Sequence, residues 1–256
     1  MKLLIKRILR SKFSIKLRNS LKIKPEPINL RNISNASVSD AFAWRTDNNY
    51  VTKFKFTDIL RLFYKIDNSQ IEIHFYTKDF NLIKKIKLNN IDLSNEILID
   101  EKLLGGIKDY GTFYIYHSTK KMNTEKNIIS NRCYIGYSKN NNLFSYVHGN
   151  TLVNYKKFTN EDLISENIIN TSLFSNQSYR IQKFFNNFDK NELFFSNPTS
   201  KQITIYINQK RISLKKGCCI LVNTYGDKIV QFRSNCLFLR PTIFSYKDEY
   251  IDVHHA

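Results

Sequence analysis

A chain of 256 residues with 42% hydrophobic side chains has apolar material for one large core or two small ones, which excludes a globally disordered protein. Its 40 basic and 22 acidic side chains leave a formal charge of +18, and with 7 Gly, 4 Pro and no Gly-x-Gly it has little from which to build phosphate-cradling loops. Part of the charge follows from a skew toward Lys, Asn, Ile, Phe and Tyr, the residues of AT-rich codons, so the distribution of charge says more than its total.

From Met1 to Lys24 there are nine basic residues and no acidic one, half of the net charge in a tenth of the chain. Ile5, Leu9, Phe13, Leu17 and Leu21 recur at i+4, a slowly drifting apolar stripe on a helix with Lys and Arg beside it. Pro25 and Pro27 end the pattern, so residues 1–27 read as a basic amphipathic helix or arm. Three uses fit it: docking on the protein's own body, contact of residues 1–24 with an anionic membrane surface, or organellar targeting. No apolar run approaches the ~18 residues of a spanning helix or resembles a secretory leader. The expected location is cytoplasmic, peripheral at a membrane if residues 1–24 bind one.

After Pro27 the period changes from helical to alternating. Ile71, Ile73 and Phe75 alternate with Glu72, His74 and Tyr76; Phe113 and Ile115 with Tyr114 and Tyr116; Ile203, Ile205 and Ile207 with Thr204, Tyr206 and Asn208. These are strands with one dry and one wet face, which places His74 on the wet one. Further strands are predicted at 51–56, 82–88, 133–137, 143–148, 218–222, 228–233, 236–239 and 250–253, with short helices at 57–64 and 160–167. Short strands at this spacing predict an all-β fold of antiparallel sandwiches.

Ile71-Glu-Ile-His-Phe-Tyr, a turn and Leu82-Ile-Lys-Lys resemble Ile203-Thr-Ile-Tyr-Ile-Asn, a turn and Ser213-Leu-Lys-Lys. Each hairpin follows an aromatic strand (53–56 and 193–196) and precedes another (111–116 and 236–239). The expected organisation is two related β-sandwich units, 40–125 and 126–256, behind the N-terminal segment.

Chemistry is sparse. No P-loop, His-Glu-x-x-His or Gly-x-Ser-x-Gly is present, and neither His-x-His nor His-x-Asp occurs. The four cysteines lack Cys-x-x-Cys spacing and read as buried strand thiols of a reducing compartment. The chain names no cofactor.

Two aromatic clusters are candidate binding faces. Trp44, the sole tryptophan, stands beside Arg45 and Asp47, a set suited to stacking on a sugar ring while charged groups bond its hydroxyls. Arg132 and Tyr134 share a strand face, and Tyr134 with Tyr146 and His148 on neighbouring strands would form an aromatic platform. A third set is metal-ligating: Asp252 and His254 share a strand face and would need His148 as third ligand.

Three functions follow from these sets. The first is a non-catalytic binding protein whose ligand is a glycan or another protein. The second is a mononuclear metal enzyme using His148, Asp252 and His254. The third is a nucleic-acid binder, for which the dispersed Lys pairs offer charge without an aromatic-basic strand motif.

Overall fold

A computed structural model describes residues 8, 11–21, 33, 35–89, 91–119, 128–130, 133–149, 152–157, 165–172, 176–182, 188–225 and 229–255. In chain order the helix α1 (Lys12–Ser20) precedes β1 (Ala36–Asp40), β2 (Phe42–Arg45), β3 (Tyr50–Thr57), the helix α2 (Ile59–Tyr64), β4 (Gln70–Thr77), β5 (Leu82–Asn89), β6 (Ser94–Ile99) and β7 (Tyr110–Ser118). Then come β8 (Ile128–Ser130), β9 (Tyr134–Lys139), β10 (Ser145–His148), β11 (Leu152–Lys157) and β12 (Glu166–Asn167). The rest of the chain forms β13 (Gln177–Gln182), β14 (Lys190–Ser196), β15 (Ile203–Ile207), β16 (Lys210–Leu214), β17 (Cys219–Tyr225), β18 (Ile229–Ser234), β19 (Thr242–Lys247) and β20 (Tyr250–His255).

Among the described residues the strands form five sheets of four. Sheet I runs β2-β7-β4-β5 and sheet II runs β10-β9-β3-β6; sheet III runs β13-β18-β15-β16 and sheet IV runs β20-β19-β14-β17. The two pairs have the same topology. Counting the strands of each pair along the chain, the first sheet is 1-6-3-4 and the second 8-7-2-5, with every neighbouring pair antiparallel. The chain is therefore two related antiparallel sandwich units. The two hairpins that resemble each other in sequence, β4–β5 and β15–β16, occupy the same place in their units, as do β3 and β14.

Strand pairing displaces the boundary expected at residue 126, because β9 and β10 complete the sheet begun by β3. The segment 236–239 is not a strand: Cys236 makes an isolated bridge to Thr171, and β18 stands where β7 stands in the first unit. Its buried residues, Cys236 and Leu239, fill core space without a ladder. The helix expected over 57–64 is α2, capped by the Asp58 carboxylate accepting from the Arg61 N–H at 3.1 Å and ended by Lys65 in the left-handed conformation. The one expected over 160–167 lies mostly outside the described residues, and its last two residues form β12.

Sheet V, β12-β11-β1-β8, is built from the connecting segments and includes a parallel pair, β1 with β8. It covers the face of sheet I that alternation assigned to water. Glu72 and His74 are buried there, hydrogen bonded to each other at 2.9 Å, and Glu72 accepts from Lys156 of β11 at 2.8 Å. Burial opposes ionisation of Glu72, but the hydrogen bonds from Lys156 and His74 outweigh it and hold its pKa at about 2. Where β1 passes the edge of β7, the hydroxyls of Ser37 and Ser39 accept from the backbone N–H groups of His117 and Ile115, both at 2.9 Å. The side chains take the place of a ladder, and the strand crosses from one sheet to another with the neighbour's donors satisfied.

One core lies between sheets I and II (Phe42, Phe54, Ile73, Phe113, Ile135) and a second between sheets III and IV (Leu193, Phe195, Ile205, Phe232, Ile243). The outer face of sheet IV, with Phe194, Phe244 and Val253, belongs to the first core. The two units are thus joined through a sheet buried on both sides. At this joint Arg45, 1% exposed, is held by Asp47 at 2.9 and 2.7 Å and by Glu192 of the second unit at 2.6 Å, with its guanidinium over the Tyr50 ring at 4.0 Å. Burial raises the pKa of Glu192, and the Arg45 charge and the Lys190 hydrogen bond reverse this and bring it to about 2.

Removing one member of this set strands the others away from water. Arg45→Met and Glu192→Gln are each expected to lower unfolding free energy by about 3–5 kcal/mol, read as urea midpoints by circular dichroism. A loss within experimental error for both would show that the joint holds without the pair. The pH dependence has two windows. Burial lowers the His117 imidazole to about 4, so the unfolded chain, with its imidazole near 6.5, takes up a proton that the folded chain refuses, and stability falls from about pH 6.5 to about 4. Glu72 and Glu192, depressed from 4.5 to about 2, lose their contribution as pH falls from about 4.5 to about 2. Urea midpoints measured down this range should fall in both windows, and His117→Gln should make the first shallower, leaving the share of His255 and His74, whose imidazoles burial also lowers.

Candidate functional site

The tryptophan expected to stack on a ligand is in the core. Trp44 is fully buried, and its indole N–H donates to the Tyr76 carbonyl at 2.9 Å. Gly111 makes this approach possible, since a Cβ there would collide with that carbonyl oxygen and the indole ring. Arg45 and Asp47 are turned toward the joint between the units. Their local pattern identified a charged cluster correctly and its orientation wrongly: β2 continues from β1 into a strand buried along its whole length.

The joint does open on an exposed cleft of about 470 Å³, lined by Asn48, Lys139, Asp189, Lys190, Tyr246 and Asp248 with Arg45 and Glu192 at its floor. Several of its charges are engaged within the protein, and the Lys139 ammonium lies 5.4 Å from the Tyr246 ring centre. Lys190 donates to Glu192 at 2.7 Å, Lys247 reaches Asp189 at 3.4 Å, and the Tyr246 hydroxyl donates to Glu192.

The second cluster comes together on the outer face of sheet II. Antiparallel register sets His148 opposite Tyr134 and Tyr146 opposite Gly136. It continues across β3 and β6, giving one row of His148, Tyr134, Lys55 and Glu96 and another of Tyr146, Gly136, Lys53 and Leu98. At ~4.8 Å per strand these rows span roughly 15 Å. Tyr134 is 58% exposed and Tyr146 40%. Arg132, expected beside Tyr134, lies outside the described residues.

The platform has a defined geometry. The Tyr146 ring lies over Gly136, where a Cβ would strike it, the cross-strand cover an aromatic gives a strand glycine. The Lys53 ammonium is 4.7 Å from the Phe144 ring centre and the Lys55 ammonium 5.1 Å from that of Tyr146. Both also reach Glu96, at 3.1 and 3.6 Å. Hydrogen bonding to Lys53 lowers the Glu96 pKa, so the face carries cations, one carboxylate and flat apolar rings together. Sequence reasoning missed Lys53, Lys55 and Glu96; the alternation along β3 placed the two lysines outward, but only the register brings them beside the tyrosines.

The three residues expected to bind a metal divide differently. His148 packs edge-on against His255, ring centres 4.4 Å apart, and its Nδ1 lies 2.9 Å from the Gly149 carbonyl, while His254 pairs with Asp252 at 3.2 Å. Alternation along β20 sets His254 and His255 on opposite faces, so the histidine that meets His148 is not the one that meets Asp252. Among the described residues no group of three or more His, Cys, Asp or Glu could hold a metal ion. Burial together with the charges of Arg240, His148 and His254 lowers the His255 pKa to about 4. The four cysteines are free thiols, three of them buried.

No family model matches the chain, and no curated protein matches it either. Among solved structures it is similar to the major pilin protein (T-13) from Streptococcus pyogenes serotype GAS131465, at 10% identity over 85% of each chain and a TM-score of 0.22. A score of that size carries no argument about fold or function. Among the described residues no helix is long and apolar enough to cross a membrane, which says nothing of strands.

The opposite settings of the two aromatic residues are measurable as stability. Trp44→Ala should empty a core site and cost about 3–5 kcal/mol, whereas Tyr146→Ala should cost about 0.5–1 kcal/mol through the lost cross-strand contact. Urea unfolding of the two variants reads the difference, and a larger loss at Tyr146 would reverse the assignment of core and surface.

Proposed function

We propose that the chain is a non-catalytic binding protein that holds a glycan on the outer face of sheet II. Tyr134 and Tyr146 supply flat apolar surface for the C–H face of a sugar ring. His148, Lys53, Lys55 and Glu96 supply donors and acceptors for its hydroxyls, the mixture that fixes orientation in small-ligand sites.

One comparison within the molecule carries the proposal. The equivalent face of the second unit, on sheet IV, presents Phe194, Phe244 and Val253 where it packs on the first unit and Lys190, Glu192 and Tyr246 at the end that opens on the cleft. The same position in the duplicated fold is thus apolar where it meets protein and tyrosine-lysine where it meets water. A face kept for a protein partner of that kind would have retained the apolar set. The charged and hydroxylated one suits a ligand rich in hydroxyls.

The test is retention of the full chain on a glycan array, followed by calorimetric titration with the glycan retained. Tyr134→Ala and Tyr146→Ala are each expected to weaken binding about two- to ten-fold, the loss of roughly one ring-stacking contact, with the folded dichroism spectrum preserved. Retention of no glycan, or equal affinity in both variants, would overturn the assignment.

A further inference from the structure

From the N-terminal helix we infer a second interaction surface, independent of the sheet II platform: α1 docks the protein on an anionic lipid bilayer. In α1 and the residue that follows it, Phe13, Leu17 and Leu21 are 77%, 49% and 60% exposed. Their i, i+4, i+8 spacing sets them on one side of the helix, over a length of ~13 Å for nine residues. Lys12 and Lys16 stand exposed beside them. Isolated exposed leucines are ordinary on a protein surface. Three apolar side chains in register, flanked by lysines and unshielded by the sheets, form a face with no partner among the described residues' own cores.

The charge around this face identifies the partner. The first 24 residues carry nine Lys and Arg and no Asp or Glu, so nothing in the segment neutralises them locally. The complementary surface must be anionic and must also accept a phenyl ring and two isobutyl groups. A nucleic acid satisfies the first requirement and leaves Phe13, Leu17 and Leu21 in water. The headgroup region of a bilayer containing acidic lipid satisfies both, with the apolar face buried at the acyl boundary and the lysines at phosphate level. The platform on sheet II would then be held near a membrane surface, but the docking does not depend on what the platform binds.

Co-sedimentation of the full chain with phosphatidylcholine vesicles, with and without phosphatidylserine, tests this. Binding should require phosphatidylserine and weaken with added salt. The double variant Lys12→Glu/Lys16→Glu should bind roughly 25-fold or more weakly, at about five-fold for each lysine near the surface. Phe13→Ser/Leu17→Ser should lose binding at unchanged charge, which a purely electrostatic polyanion site would not. All four side chains are exposed, so the strand dichroism of both variants should match the parent chain. No sedimentation with either vesicle, equal sedimentation with both, or undiminished binding by both variants would overturn the inference.

Discussion

A guanidinium with 1% of its surface exposed fixes how the two halves of this chain meet. Arg45 leaves the end of β2 in the first unit, is clamped in parallel by Asp47, and reaches Glu192 on β14 of the second. Burial alone would drive such a group toward neutrality, and the hydrogen bonds and charge of the Asp47 carboxylate lead in reversing it, so its pKa stays above the ordinary arginine value. A charge of that kind tolerates little movement of its partners, because any sliding of sheet IV against β2 and β3 would leave it unpaired in a dry place. Apolar contacts between Phe194, Phe244 and the first core supply area; the ion pair supplies position.

The duplicated topology explains why one molecule has both a sealed face and an open one. Two sandwich units with the same strand order must put corresponding faces in different surroundings once one is packed on the other. Sheet IV took the interior setting and sheet II the exterior one. The residues followed: Phe194, Phe244 and Val253 where sheet IV is packed against protein, and tyrosine, lysine and glutamate on the open face of sheet II and at the cleft end of sheet IV. Sheet V, made of the connections, then closes the remaining side of sheet I.

What could be read from the chain follows from this layering. Alternation marked β4, β7 and β15 as strands, and similarity between β4–β5 and β15–β16 marked the duplication, because a hairpin is a local object whose pattern survives in its own residues. The platform of Tyr134, Tyr146 and His148 was legible for the same reason, since β9 and β10 are consecutive and their register follows from one turn. Faces covered by distant segments were not legible. His74 reads as solvent-facing because nothing near it announces Lys156, and Trp44 reads as available because Arg45, Thr46 and Asp47 follow it. Ser37 and Ser39 carry no strand signal, yet they close the seam between sheets I and V. A histidine pair 107 residues apart in sequence, His148 and His255, is likewise visible only once β10 and β20 lie together.

The order of synthesis gives the shared sheet a further meaning. Every strand of sheets I and II is synthesised before β13 begins, so the first sandwich precedes the second in the order of emergence. Sheet IV, with aromatic residues on both surfaces, then emerges onto a surface already shaped to receive it. Phe194, Phe244 and Val253 of sheet IV are then covered by a surface that came before them in the chain.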